Sequence, residues 1–235
     1  MKLWKSLLHI LLVLVIASAI VSATYSLKSQ EHPKSCICPL LIAKFVNSSE
    51  IKMPIAQLQS KVITSNDIRN IARLDNLDYK SAKVVKHELK INGQDVELLA
   101  VGIPLKDGKC AVIYYEFSKP VNNIKTVAYL FCLEGTKIRT EKMSINGVLR
   151  TLDTCEHECS SSSDCEGDQS YCVDYCCEID WNDFIKCCGS CAIPCTSPGS
   201  LQCITCVFLY CPSCYYLSCT ELGTICVEWD WGITP

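Results

Sequence analysis

From Lys83 to Ile91 apolar and polar residues alternate: Val85, His87, Leu89 and Ile91 fall on one side, Lys86, Glu88 and Lys90 on the other. A period of two is that of a half-buried strand. Asn92-Gly93 follows, a strong hairpin signal because both residues of a tight two-residue turn need positive φ. Further turn signals fall at Asp107-Gly108, Glu134-Gly135 and Asn146-Gly147. Between them lie the strand-like runs Val96–Ile103, Cys110–Phe117, Ile124–Leu133, Thr136–Ile145 and Val148–Leu152. With the first run they predict a meander of about six strands. Ahead of it, Thr64 or Ser65 starts a short helix that places Ile68, Ile71 and Ala72 on one face. The expected class is α+β: a small antiparallel β-meander over residues 63–152 with one covering helix, preceded by a segment, 24–62, without a clear period.

The pattern changes at residue 153. Residues 153–179 are polar and acidic, with a serine run at Ser160–Ser163 and too few apolar side chains for a core. Residues 180–235 are the reverse, with no charged side chain in the 34 positions from Cys187 to Thr220. There Cys187/Cys188, Cys191 and Cys195 recur at helical spacing, as do Cys203, Cys206, Tyr210/Cys211 and Cys214. Thr196-Ser197-Pro198-Gly199-Ser200 breaks the two runs apart. The expectation for 153–235 is a disulfide-rich module containing a helical hairpin bent at that loop, with Pro212 kinking the second arm.

Cysteine count sharpens this picture. The chain has 20 cysteines in 235 residues, 16 of them from Cys155 to Cys226. Such density points to disulfides and to an oxidising compartment. Met1 to Ala23 fits export: Lys2 and Lys5, the apolar run Leu7 to Val21, then small residues before a cleavage point at Ala23–Thr24. An uncleaved membrane anchor is the alternative for this segment, because the run approaches spanning length. The expected location is secreted or extracytoplasmic.

Two geometric rules propose pairings. If the turn after Ser118 centres near residue 121, Cys110 and Cys132 oppose each other and can bond across the hairpin. If the two helical arms are antiparallel, one register joins Cys195 to Cys203, Cys191 to Cys206 and Cys187 to Cys211. Spacing alone does not determine connectivity. Cys188-x2-Cys191, Cys203-x2-Cys206 and Cys211-x2-Cys214 also look like zinc knuckles in isolation, and Cys188-Gly189-Ser190-Cys191 like a redox dithiol. The short gap Val207–Tyr210 and the absence of a βαβ context argue against both, so no metal and no cofactor is expected. Asp164, Glu166 and Asp168 around Gly167 sketch a calcium loop without its distal Glu, and a solvated turn is preferred.

Charge divides the chain at the same place. Residues 24–152 hold 19 Lys and Arg against 12 Asp and Glu, whereas 153–235 hold Lys186 alone against 13 acidic residues. Contact between a basic N-terminal and an acidic C-terminal domain is therefore expected, and nucleic acid is not. Tyr210, Tyr215, Tyr216, Trp229 and Trp231 could sit at a membrane surface, the other candidate partner, or simply cover a small core. No G-x-S-x-G, H-E-x-x-H or phosphate loop occurs, and His87 reads as a core histidine, so no catalytic residue and no enzyme is expected. Asn47-Ser48-Ser49 is a glycosylation acceptor by pattern.

An export signal, a domain without enzyme motifs and then a cysteine-dense module resembles the cysteine-rich halocin-type bacteriocin precursors. The likeness lies in Cys187-Cys188-Gly189-Ser190-Cys191, Cys195 and Cys203-Ile204-Thr205-Cys206, within residues 180–226. The resemblance implies a C-terminal antimicrobial module that is released and an N-terminal domain that confers immunity. It assigns no role to any individual residue. On that reading the chain is processed within Arg150–Thr154, with Arg150 and Thr151 the candidate residues. The alternative is an uncleaved membrane-anchored or cell-surface protein whose cysteine module is structural or binds a partner.

Overall fold

The computed structural model describes residues 39–135, 137–152, 155–166, 170–191, 194–196 and 200–228. The apolar leader, the Ala23–Thr24 cleavage point, Cys36, Cys38, Asp168, Trp229 and Trp231 lie outside them. The described residues open with α1 (Pro39–Ile42), β1 (Lys44–Glu50), α2 (Ile55–Thr64) and α3 (Asn66–Ile71). Six meander strands follow: β2 (Lys83–Ile91), β3 (Gln94–Pro104), β4 (Cys110–Val121), β5 (Ile124–Glu134), β6 (Lys137–Ile145) and β7 (Val148–Thr151). The cysteine-rich part supplies β8 (Ser170–Asp180), α4 (Trp181–Cys187), α5 (Leu201–Tyr210), α6 (Cys214–Leu217) and β9 (Cys219–Glu228).

The fold is α+β, built, among the described residues, on one antiparallel sheet of nine strands in the order β1-β2-β3-β4-β5-β6-β8-β9, with β7 paired to β6. Its turns follow the residues that tolerate positive φ: Asn92-Gly93, Asn122-Asn123 and Asn146-Gly147 each place both residues there. The β4–β5 turn therefore closes at Asn122-Asn123, and both strands run longer than their apolar cores predict. Ser65 caps α3, its hydroxyl accepting from the Ile68 amide at 3.4 Å.

Each face of the sheet carries a buried layer, where one covering helix was expected. Val84, Val101, Ile103, Val112 and Tyr114 pack under α2 and α3 through Leu58, Val62, Ile68 and Ile71. Val85, Leu98, Ala100, Ile113, Tyr115 and Phe131 face the opposite way, onto the helices of the cysteine-rich part. This explains why Ala111 to Tyr115 is an unbroken buried run rather than an alternation. The boundary drawn at residue 153 does not interrupt the sheet, because β8 pairs with β6 from Lys137↔Asp180 to Arg139↔Glu178. Within the charge-free run, Cys203–Leu209 and Cys214–Tyr216 form the second buried layer of this fold. No helix among the described residues is long and apolar enough to cross a membrane.

Nine disulfides join all 18 described cysteines, the mark of an extracytoplasmic protein. Cys110 and Cys132 are register partners on β4 and β5 and are bonded to each other, with a Cα separation of 4.1 Å.

Candidate functional site: the docked cysteine-laced helix

The element with the most unusual surroundings is α5. Ser200 starts it, its hydroxyl accepting from the Cys203 amide at 3.2 Å. From Cys203 to Leu209 seven consecutive residues are buried, so the helix has no solvent face over two turns. One side meets the sheet. The other is stapled to residues 187–195, where Cys188 bonds Cys211, Cys191 bonds Cys206 and Cys195 bonds Cys203.

Cys187 departs from the expected register. It bonds Cys214, not Cys211. A single register assumed one continuous second arm, but the chain leaves helical geometry at Cys211 (φ −133°, ψ 63°) and restarts at α6. Neighbouring residues at a helix end also point about 100° apart, so Cys187 and Cys188 diverge onto different rungs. Of the remaining bonds, Cys155–Cys177, Cys159–Cys172 and Cys165–Cys226 tie the segment before β8 to β8 and β9, and Cys176–Cys219 joins those two strands.

Three features of the sheet receive α5. At Gly102 a Cβ would stand 2.4 Å from Thr205 Cγ2 and 3.1 Å from Leu209 Cδ1, so only glycine lets the helix come this close. Phe208 stacks on Phe131 with ring centroids 4.1 Å apart, and Tyr215 meets Phe131 edge-on at 5.4 Å. Finally, the sheet caps the helix. The last carbonyls of a helix lack intrahelical partners. Val207 O accepts from the Cys211 amide at 2.8 Å, but Phe208 O takes the Tyr115 hydroxyl at 2.7 Å and Leu209 O takes His87 Nε2 at 2.7 Å. The carbonyl fixes Nε2 as the protonated ring nitrogen, and Nδ1 then accepts from Ser48 Oγ at 2.6 Å. Burial pulls the His87 imidazole below its ordinary pKa, partly opposed by the bond to Leu209.

Polar contacts cross the same boundary at its edges. Lys137 pairs with Glu178 at 2.8 Å, Arg150 donates through Nη2 to Cys226 O at 2.8 Å, and Thr140 donates to Cys176 O at 2.5 Å. Tyr210 donates to Glu50 at 2.7 Å, and burial, then the adjacent carboxylate, push its hydroxyl up to about 12. The described aromatics proposed for a membrane surface are thus placed otherwise: Tyr215 and Tyr216 are buried, and Tyr210 is tied to Glu50.

The metal-like spacings are consumed by oxidation. All six sulfurs of the three knuckle-like pairs are in disulfides, as are Cys159, Cys165 and Cys226, whose sulfurs cluster within 4.8 Å. A disulfide sulfur is not the thiolate that zinc requires. Cys188 and Cys191 are each bonded into the α5 region rather than to each other. Asp164 serves as a local cap, accepting from the Ser160 and Ser161 amides at 2.6 and 2.8 Å, which lowers its pKa. Arg150 and Thr151 lie in β7 opposite Met143 and Lys142, a paired conformation that a protease cannot take into its cleft without local unfolding.

Sequence reasoning missed the capping pair Tyr115 and His87, the Gly102 notch and the Asp67 clip. Asp67 at the start of α3 is buried and accepts from Thr126 Oγ1 at 2.5 Å, Ser144 Oγ at 2.7 Å and the Gly147 amide at 2.7 Å. A glycine inside an apolar run was the one available signal for close approach. Comparison with protein-family models, curated proteins and solved structures finds no match for this chain.

Proposed function

We propose that the chain is an exported, bacteriocin-like precursor in which the N-terminal α+β domain holds a covalently closed cysteine-rich module in a masked state and acts as its immunity partner. The observation that carries this reading is the division of the covalent bonds. Eight disulfides lie wholly within residues 155–226 and the ninth wholly within the meander. Among the described residues no disulfide ties one part to the other. A single backbone cut within residues 150–154 would therefore leave two pieces held by non-covalent contacts alone. The module's apolar helix α5 is the part the sheet covers, so masking and the attacking surface coincide. Its acidity directs it toward neutral rather than anionic lipid.

A second reading, an uncleaved extracytoplasmic or surface protein, is favoured by the sheet that runs through the boundary and by Arg150 and Thr151 in β7. Cutting the chain at a protease site inserted after Leu152 separates the two. The precursor reading expects that the fragments part in denaturant without reductant. It also expects that the freed module releases dye from vesicles of neutral phospholipid and that added N-terminal domain stops the leakage. A freed module that stays inert toward vesicles and toward sensitive cells would leave the second reading standing.

A further inference from the structure

The two edges of the sheet are treated differently. On β9 the outer edge is covered: the Glu158 amide donates to Thr224 O at 2.9 Å, the Thr224 amide to Glu156 O at 2.8 Å, and the Cys226 amide to Glu158 Oε2 at 3.1 Å. On β1, which pairs only with β2, no such cover exists among the described residues, and every residue from Val46 to Glu50 is exposed. A bare edge is a template for pairing with another chain, and native proteins block such edges.

Asn47-Ser48-Ser49 sits in the middle of this edge and is the only Asn-x-Ser/Thr in the 235 residues. A bulge decides what the triplet displays. Phe45 opposes Leu89, but Asn47 opposes Glu88, one residue out of step. Opposed residues in a sheet share a face. Without the shift Asn47 would lie opposite His87 and point into the layer beside α5. With it, Asn47 shares the outward face of Glu88 and Ser49 that of Lys86, while Ser48 takes the place opposite His87 and donates to it. The bulge thus brings the Asn47 amide and the Ser49 hydroxyl, the two groups of an acceptor triplet, onto one open face.

We propose that Asn47 is an N-glycosylation site whose glycan covers the β1 edge. The co-substrate is a lipid-linked oligosaccharide of the export compartment. The Asn47 side-chain nitrogen attacks the anomeric carbon, forming a C–N bond as the C–O bond to the lipid phosphate breaks. The phosphate leaves with the bonding electron pair, the amide loses one proton, and nothing is oxidised or reduced. The attached sugar is bulky and hydrated, so a second β1 could not approach.

Mass spectrometry of the tryptic peptide Phe45–Lys52 from the native exported protein tests this. The peptide contains one asparagine. It should carry added sugar mass in the native protein and in Ser49→Thr, and none in Ser49→Ala or Asn47→Gln. Native peptide at its unmodified mass would overturn the proposal, and so would sugar that persists in Asn47→Gln, which would place it on a serine.

Discussion

Replacing Gly102 with alanine would set a methyl carbon 2.4 Å from Thr205 Cγ2, where unstrained carbon contacts lie near 3.5–4.0 Å. Either α5 moves away by about 1 Å or strand β3 bends, and neither is free. The helix is fixed by three disulfides on its far side and by Tyr115 and His87 at its end. Overpacking of this kind costs roughly 1–3 kcal/mol, offset by about 0.4–1 kcal/mol because alanine restricts the unfolded chain. The expected net loss is about 1–2 kcal/mol. Thr205→Ala removes the clashing methyl together with a buried hydroxyl that has no hydrogen-bond partner, so its own cost should be small. Unfolding in guanidinium with disulfides intact, run as a double-mutant cycle, isolates the contact. Gly102→Ala should cost at least about 1 kcal/mol less in the Thr205→Ala background than alone. Equal costs in the two backgrounds would mean that the notch does not position the helix.

Stability should fall as pH drops below about 6.5: the unfolded His87 takes up a proton there, and the buried imidazole, with its pKa held lower, does not. The loss should flatten in His87→Gln, measured by thermal unfolding from pH 7.5 to pH 5. Tyr115→Phe removes one neutral bond to the end of α5 and should cost about 1 kcal/mol by guanidinium unfolding. Asp67→Ala leaves the Thr126, Ser144 and Gly147 donors unpaired beneath α3 and should cost roughly 3 kcal/mol, seen as a lower Tm; an effect below about 0.5 kcal/mol would show that the clip is idle. Peptide mapping without reduction should recover Cys187 with Cys214 and Cys188 with Cys211; a Cys187–Cys211 peptide would contradict the break after α5.

The meander was legible because its signals are local: alternation over Val85–Ile91 and turns that demand Asn-Gly. β1 was not, since Lys-Phe-Val-Asn-Ser-Ser-Glu is polar and bulged, with Phe45, Ser48 and Glu50 on the core side and only Phe45 apolar among them. Strand β8 was hidden for a different reason. Its alternation of Val173, Tyr175 and Cys177 is interrupted by paired cysteines and acids, so the segment read as a disulfide-held block. The cysteine arms of residues 187–211 were visible in their spacing, but the end of α5 was not, and that misplaced Cys187. A long uncharged run says only that water is excluded. Whether lipid or a sheet excludes it depends on partners such as His87, 122 residues away from Leu209, and no local pattern carries that.

The Gly102 notch and the two capping side chains also bear on assembly. Sixteen cysteines in residues 155–226 admit roughly two million complete pairings, of which one is found. The meander is synthesised first, and its strands and turns are specified without any of those cysteines. Once formed, it offers a groove of fixed depth at Gly102 and two side-chain groups that mark where a helix must end. A nascent α5 seated there turns Cys203 and Cys206 toward the residues that follow β8 and withdraws them from the other sulfurs. The meander's face is then more than a floor: the depth and end it sets for α5 fix where Cys203 and Cys206 stand opposite Cys195 and Cys191.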